Sequence, residues 1–291
     1  MLPRWSKAVI HLSRMNSGRN MEMGKLFFCL QNPSFSKFTE EAAELVTDNP
    51  TQKSFGIKNE QVNLNKMFWS KPSSLELPSD SPQRIEEPQY EGIKRFILKL
   101  MMFYSKQSTA IRGANAIYHR ITCQVDRPAI YDVFCLEKTF RTTFSVLVLH
   151  MWLCLRRLKE DGKEGSELGQ YLYERYNHDL ELRVSKAGVN LLLSKWMKEL
   201  EKIFYGNIVA YDAAILPEAK PDELQNVIWR NVFSDDGTLT PNDPALLPVQ
   251  AMSCYVHRET KCLSLTDKAA VFSGNFMFTS LEEKPVGFAS K

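Results

Sequence analysis

The tightest group of residues that could bind a metal or catalyse a reaction is Cys254, His257 and Cys262. Thiolate and imidazole are the ligands that zinc prefers, and residues three apart on a helix share a face. The spacing fits none of the usual zinc patterns, however, and a fourth ligand would have to come from elsewhere in the chain. We therefore favour ordinary helix residues over a zinc site.

A single histidine could take part in acid–base chemistry. Only Ser145 and His150 are polar between Phe144 and Leu155. A histidine in such surroundings is either a catalytic group or a core residue bonded to a backbone carbonyl or an acid. We favour the core residue. A metal- or thiol-dependent enzyme that uses His150 or the Cys254, His257 and Cys262 group is the alternative.

Asp212 follows an apolar helical stretch, and pairing with an arginine such as Arg157 or Arg230 would satisfy both charges. Residues 235–237 read Asp-Asp-Gly but lack the spaced oxygen ligands of a calcium loop. The sequence contains no GxxxxGK[ST], GxGxxG or GxSxG motif. The motifs therefore indicate no catalytic residue, no metal and no cofactor, but their absence alone does not show that the protein is not an enzyme.

The element that must organise these residues is the apolar run from Phe144 to Leu158. A helix that is apolar all round is either buried on all sides or lies in a membrane. This run is shorter than the ~20 apolar residues that span a bilayer, so it predicts a buried central helix that begins near Thr139. Arg156, Arg157 and Lys159 suit its C-terminal end, and Gly162 and Gly165 predict its stop.

Helical periodicity recurs on both sides of this run, and no alternating strand pattern is present. Apolar residues at helical spacing first appear at Ile93, Phe96, Ile97 and Leu100. Later stripes begin near Thr109, Pro128, Leu168, Leu193, Pro221 and Leu246. The predicted fold class is therefore all-α, an irregular helical bundle around one buried helix, with a largely disordered N-terminal third.

The first residues differ from the rest. Arg4, Lys7, Arg14 and Arg19 all precede the first acid, Glu22, and serines lie between them. This composition is typical of an organelle transit peptide, and the alternative is a frayed basic terminus. We predict a transit segment over residues 1–20, a low-order linker region over 21–89, which is rich in proline and turn residues, and a helical domain over 90–285.

Three lysines, Lys195, Lys198 and Lys202, share one helix face, while Trp196 and Leu200 belong to another. Such a stripe is either a solvated face or a surface that binds phosphates. The net charge of +3 is too small to decide between them.

Three blocks in order along the chain carry a family resemblance. The first runs from His150 to Leu158, the second from Gly188 to Leu216 and the third from Trp229 to Phe233. Together they resemble the ubiquinol–cytochrome c chaperone family, and the chain looks like a plant member. The family-motif core comprises His150, Trp152, Leu155, Arg157, Leu158, Phe204, Tyr205, Gly206, Tyr211, Asp212, Trp229 and Arg230.

The resemblance implies a non-enzymatic assembly factor of respiratory complex III, located on the matrix side of the mitochondrial inner membrane. Its expected partners are newly made cytochrome b, a small second complex III assembly factor and the mitochondrial ribosome. The lysine stripe is the candidate ribosome-facing surface. We expect a protein peripheral to the membrane, without a transmembrane helix.

Overall fold

The computed structural model describes residues 70–86, 90–100, 102–188, 192–234 and 243–281. These residues form helices and no strand, apart from one isolated antiparallel bridge between Glu76 and Phe276. The helices are α1 Gly92–Leu100, α2 Lys106–Val125, α3 Pro128–Val133, α4 Phe140–Lys159, α5 Gly162–Lys186, α6 Leu193–Ala214, α7 Glu223–Ile228, the π-helix Trp229–Phe233, α8 Asp243–Leu265 and α9 Lys268–Ser273. The predicted all-α fold is confirmed. The predicted transit segment and most of the predicted linker lie outside the described residues.

Helix α4 is the predicted central helix. Thr139 caps it, because its side chain accepts from the Thr142 backbone while the Thr142 side chain accepts in return from the Thr139 N–H. From Thr142 to Leu155 only Thr143 is not buried. Helices α2, α5, α6 and α8 and the π-helix all pack against α4. An apolar helix is thus covered on every side, as its sequence requires.

The turn after α4 differs from the prediction, because only one of the two glycines lies at the turn. Gly162 has a φ of +61° and is the first residue of α5, so it starts a helix as well as ending the turn. Gly165 lies inside α5, where a Cβ atom would be 1.8 Å from the Leu158 carbonyl oxygen. The second glycine is therefore not part of a stop; it lets α5 fold back closely against the end of α4.

Residues 70–86 are not a linker, in contrast to the prediction for 21–89. The Leu77 N–H donates to the Asn275 carbonyl at 3.0 Å, and Leu77 is only 8% exposed. The Ile85 N–H donates to the Asn275 side chain at 2.7 Å, and that side chain donates back to the Ile85 carbonyl at 3.1 Å. The segment is poor in apolar residues of its own, but it pairs its backbone with the end of the chain. Turn-rich composition alone could not reveal such distant partners.

Helix α1 forms where the periodicity predicts, but its apolar stripe does not cover α4. The exposed residues of the stripe are Ile93, Phe96, Ile97 and Leu100. The sequence pattern thus predicted the helix correctly and its burial wrongly. Among the described residues, no helix is long and apolar enough to cross a membrane.

We expect Trp152→Ala to destabilise the domain strongly, because Trp152 is 1% exposed at the centre of the bundle. Truncating a buried aromatic residue costs ~3–5 kcal/mol, a large part of the ~5–15 kcal/mol that a domain has. The measurement is the free energy of unfolding from denaturant titration. Leu247→Ala is the control, since Leu247 is 69% exposed and its loss should change stability little. Equal unfolding midpoints for the two variants would contradict the core assignment.

Candidate functional site

The three sequence blocks of the family motif meet at one junction. The first block is on α4, most of the second is on α6 and the third forms the π-helix; α4 packs against both α6 and the π-helix. Trp152 of α4 and Tyr211 of α6 are the centre of this junction, with ring centroids 5.1 Å apart. Leu155 and Leu158 are buried in the same core.

Asp212 joins α6 to the C-terminal half of α4. The Trp152 indole Nε1–H donates to Asp212 Oδ1 at 2.8 Å, and Lys159 Nζ donates to Oδ2 at 2.8 Å. Arg156 lies 3.8 Å from Oδ1. One carboxylate therefore satisfies the buried indole and balances two cations at the end of α4. Asp212 thus pairs with an arginine as predicted, but the arginine is Arg156 and not Arg157 or Arg230.

Arg157 connects the end of α4 to α8 instead. Its guanidinium donates to the carboxylate of Asp161 at 2.6 Å, to the Leu263 carbonyl at 2.9 Å and to the Thr266 carbonyl at 3.2 Å. These acceptors satisfy a side chain that is almost fully buried. Arg230 donates to the backbone carbonyl of Asn226, four residues earlier, and lies 4.0 Å from Glu223.

Aromatic side chains fill the contact between α5 and α6. Phe204 is surrounded by Tyr176 and Tyr173, with centroid distances of 4.9 and 5.3 Å, and Tyr205 lies 5.9 Å from Tyr173. Gly206 follows on the same turn and is half-buried. The rings of this second-block cluster contact one another, so the cluster packs α5 against α6.

The third block forms an unusual backbone. The Ser234 N–H donates to the Trp229 carbonyl at 2.8 Å, five residues back, which is the π-helical bond. Trp229 is buried and stacks on Phe233 at a centroid distance of 6.4 Å. π-helical turns are rare and often mark functional positions. Here the wider turn lets the third block pack on α4 and α8 together.

His150 is a structural residue of the core. Its Nδ1 lies 2.8 Å from the Val146 carbonyl, which can only accept, so Nδ1 carries the proton. The Tyr255 hydroxyl therefore donates to Nε2 at 2.9 Å. Burial lowers the pKa of His150 to about 4, which keeps the ring neutral. The hypothesis of a core histidine bonded to a carbonyl is confirmed.

The sequence did not suggest Glu259, the second ionisable residue in this region. Glu259 accepts from the backbone N–H of Thr279 at 3.2 Å and from the Thr279 hydroxyl. Burial raises the pKa of Glu259 to about 7. Gln124 links the two groups, since it donates to the Tyr255 hydroxyl and to the Thr279 carbonyl. Glu259 lies four residues after the buried Tyr255 on α8, so the two side chains share a helix face. Extending the apolar face of α8 by one turn in the sequence would have identified Glu259 as a buried acid.

The proposed metal ligands are not brought together. His257 is exposed, Cys254 is half-buried and Cys262 is buried on α8. Within the part of the chain that the structure describes, no three His, Cys, Asp or Glu residues are grouped as metal ligands would be. Burial raises the pKa of both thiols, and it also raises that of Cys154, which disfavours the reactive thiolate. The Asp-Asp-Gly turn at 235–237 lies outside the described residues.

The three lysines of the stripe are exposed on α6. Lys202 Nζ donates to Glu199 at 2.8 Å, which partly neutralises one end of the stripe. The role of Lys195, Lys198 and Lys202 as a binding surface stays a prediction.

We expect the stability of Glu259→Gln to rise relative to wild type as pH increases. A carboxyl whose folded pKa is about 7 rather than 4.5 favours the folded state while protonated. That contribution is present below pH 4.5 and is lost as the pH rises through 7. His150 acts oppositely, because its lowered pKa removes stability as the pH falls from 6.5 through 4. The measurement is the free energy of unfolding from pH 4 to 8; parallel curves for variant and wild type would contradict the prediction.

Comparison with known proteins places this junction in a family. A family model described as "Ubiquinol-cytochrome C chaperone" matches residues 132–279, just over half of the chain. The match includes α4, α6 and the π-helix, and therefore all three motif blocks.

Curated relatives resemble the chain over much of its length. Ubiquinol-cytochrome c reductase complex assembly factor 1 of Mus musculus is 25% identical over 276 residues, covering 86% of this chain and 90% of the relative. The Xenopus laevis protein of that name is 29% identical over 169 residues, covering 56% and 80%. Protein CBP3, mitochondrial, of Saccharomyces cerevisiae is 24% identical over 152 residues, covering 51% and 43%.

A solved structure has the same fold. The crystal structure of the Cbp3 homolog from Brucella abortus superposes with a TM-score of 0.52 at 24% identity, covering 64% of this chain and 97% of that one. At this level of identity the likeness concerns the fold alone. The match of the family model over half of the chain shows more: the protein belongs to the ubiquinol–cytochrome c chaperone family.

Proposed function

We propose that this protein is a mitochondrial assembly factor of respiratory complex III that acts as a chaperone and not as an enzyme. The observation that carries the proposal is the motif junction. Two groups in it that could do acid–base chemistry make structural contacts instead: Asp212 with Trp152 and Lys159, and His150 with Val146 and Tyr255. The relatives named as complex III assembly factors in three vertebrates support the same role.

The client that we propose is newly made cytochrome b, a hydrophobic membrane protein. A chaperone for such a client must offer apolar surface. Large apolar side chains are exposed outside the motif junction, among them Leu182, Leu192 and Leu247. These side chains are candidates for contact with the client.

The location and the further partners are also part of the proposal. The yeast relative is named as mitochondrial, and residues 1–20 have the composition of a transit peptide. We place the protein on the matrix side of the inner membrane, peripheral to it, with a small second assembly factor and the mitochondrial ribosome as partners. Import into isolated mitochondria, with protease protection after swelling, tests the location.

We expect photo-crosslinking in translating mitochondria to capture cytochrome b. A photoreactive amino acid is placed singly at Leu182, Leu192 or Leu247, where it disturbs no core contact. At least one position should yield an adduct with freshly labelled cytochrome b, identified by immunoprecipitation and mass spectrometry. The matched control is Lys163, whose side chain is 91% exposed but polar. Adducts at none of the three positions, with normal protein levels, would contradict client binding through these surfaces.

We expect the triple change of Lys195, Lys198 and Lys202 to Glu to abolish salt-sensitive co-sedimentation with mitochondrial ribosomes. Ribosomal RNA is a dense array of phosphates, and contacts with phosphates weaken steeply with salt because counterions are released on binding. All three lysines are exposed, so the fold should be unaffected. The measurement is pelleting through a sucrose cushion at low and high salt.

The control for that experiment is a triple change of exposed lysines elsewhere, Lys163, Lys220 and Lys261 to Glu. It alters the net charge equally but not the stripe on α6. Unchanged low-salt co-sedimentation of the stripe variant, or equal loss in both variants, would exclude this face as the docking surface.

A further inference from the structure

Helix α1 is amphipathic, but its apolar face is exposed, whereas the apolar face of an ordinary surface helix packs on the core. Its apolar residues Ile93, Phe96, Ile97 and Leu100 recur at positions i, i+3, i+4 and i+7, so they form one continuous stripe. In a globular protein such a stripe faces the core. Here Ile93 is 80% exposed, Phe96 70% and Leu100 75%, whereas Leu98, on another side of the helix, is half-buried.

The turn after α1 extends this exposed surface and holds it in place. Met102 adopts a φ of +60°, and the bonds from the Met102 N–H to the Lys99 carbonyl and from the Phe103 N–H to the Leu98 carbonyl form a Schellman motif. Glycine is the usual residue at that position; methionine costs backbone strain but adds an exposed apolar side chain. Arg112 of α2 lies 4.2 Å over the Phe103 ring and donates to the Phe103 carbonyl at 2.8 Å. The turn is thus fastened to the bundle.

The charges of α1 are all of one sign. The helix sequence GIKRFILKL contains Lys94, Arg95 and Lys99 and no acid, while Glu91 precedes it by one residue. Lys106 adds an exposed cation at the start of α2. A helix with a strongly apolar face and a cationic remainder matches the interface of an anionic bilayer, where apolar side chains enter the acyl boundary and cations meet the phosphates.

We propose that α1 and the turn after it attach the protein to an anionic lipid surface, with the stripe of Ile93, Phe96, Ile97 and Leu100 inserted at the acyl boundary. The stripe lies exposed on a single helix, and a bilayer surface accommodates such a helix without a preformed groove. The cations complement anionic headgroups, each raising the partition coefficient on the order of fivefold. The proposal deepens the proposed function by supplying its membrane contact, but the interaction itself needs neither client nor ribosome.

The test is flotation of the purified full-length protein with vesicles of phosphatidylcholine alone or of phosphatidylcholine and phosphatidylglycerol in equal amounts. Wild type should float with the anionic vesicles, and high salt should reduce the bound fraction. The double variant Phe96→Asp and Leu100→Asp should lose binding by an order of magnitude or more, since two apolar side chains no longer insert. Its thermal unfolding should match wild type, because both side chains are exposed.

The matched control is Ile85→Asp with Leu265→Asp, which places the same charges on two exposed apolar residues outside α1. This variant should float as wild type does. The proposal is overturned if wild type floats with neither vesicle, which would make the stripe a protein-binding surface. It is overturned equally if the α1 variant floats like wild type, which would place the lipid contact elsewhere in the chain. Equal binding of wild type to both vesicles would also overturn it, because the cations would then contribute nothing. Because no client is present, none of these results bears on the capture of cytochrome b.

Discussion

An apolar helix that is hydrophobic on all sides has to be enclosed, and this requirement determines most of the domain. Helix α4 offers α2, α5, α6, α8 and the π-helix a common surface, and each contributes one apolar face to it. The close approach at Gly165 and the wide π-helical turn at Trp229 are local adjustments that bring neighbours against α4. Without the burial of α4 these short-range features would have nothing to pack on.

The polar groups within this core follow from the same enclosure. Water cannot reach them, so each must find a partner inside the protein. The indole of Trp152 finds Asp212, and the imidazole of His150 finds a carbonyl and a hydroxyl. These bonds tie α4 to α6 and α8, which adds directional specificity to packing that the hydrophobic effect alone would leave non-directional. A histidine and an aspartate that resemble catalytic residues in the sequence thus serve the fold.

Local signals in the sequence predicted local features well. The apolar run, its expected start near Thr139 and its basic end defined α4, and the existence of most other helices followed from periodicity. Long-range pairing was not predictable. Asp212 was expected to meet Arg157 or Arg230, but its partners depend on how α6 lies across α4. Residues 70–86 lack a core of their own, and only the fold provides Asn275 as their partner. The exposure of the α1 stripe was missed because periodicity reports that one face is apolar without stating what covers it.

The burial of the motif residues limits where a partner can bind. Trp152, Leu158, Phe204 and Tyr211 are almost wholly buried, so a client or a ribosome cannot touch them in the folded domain. The blocks by which the family is identified therefore specify its interior. Any binding surface has to consist of exposed residues. Some of these belong to no motif block, such as the α1 stripe, Leu182 and Leu247. Others lie in a motif block but make no core contact, such as Lys195 and Lys198. Proteins of this family can accordingly share a core while differing in their exposed surfaces, and a binding surface has to be found from exposure and charge rather than from the motif.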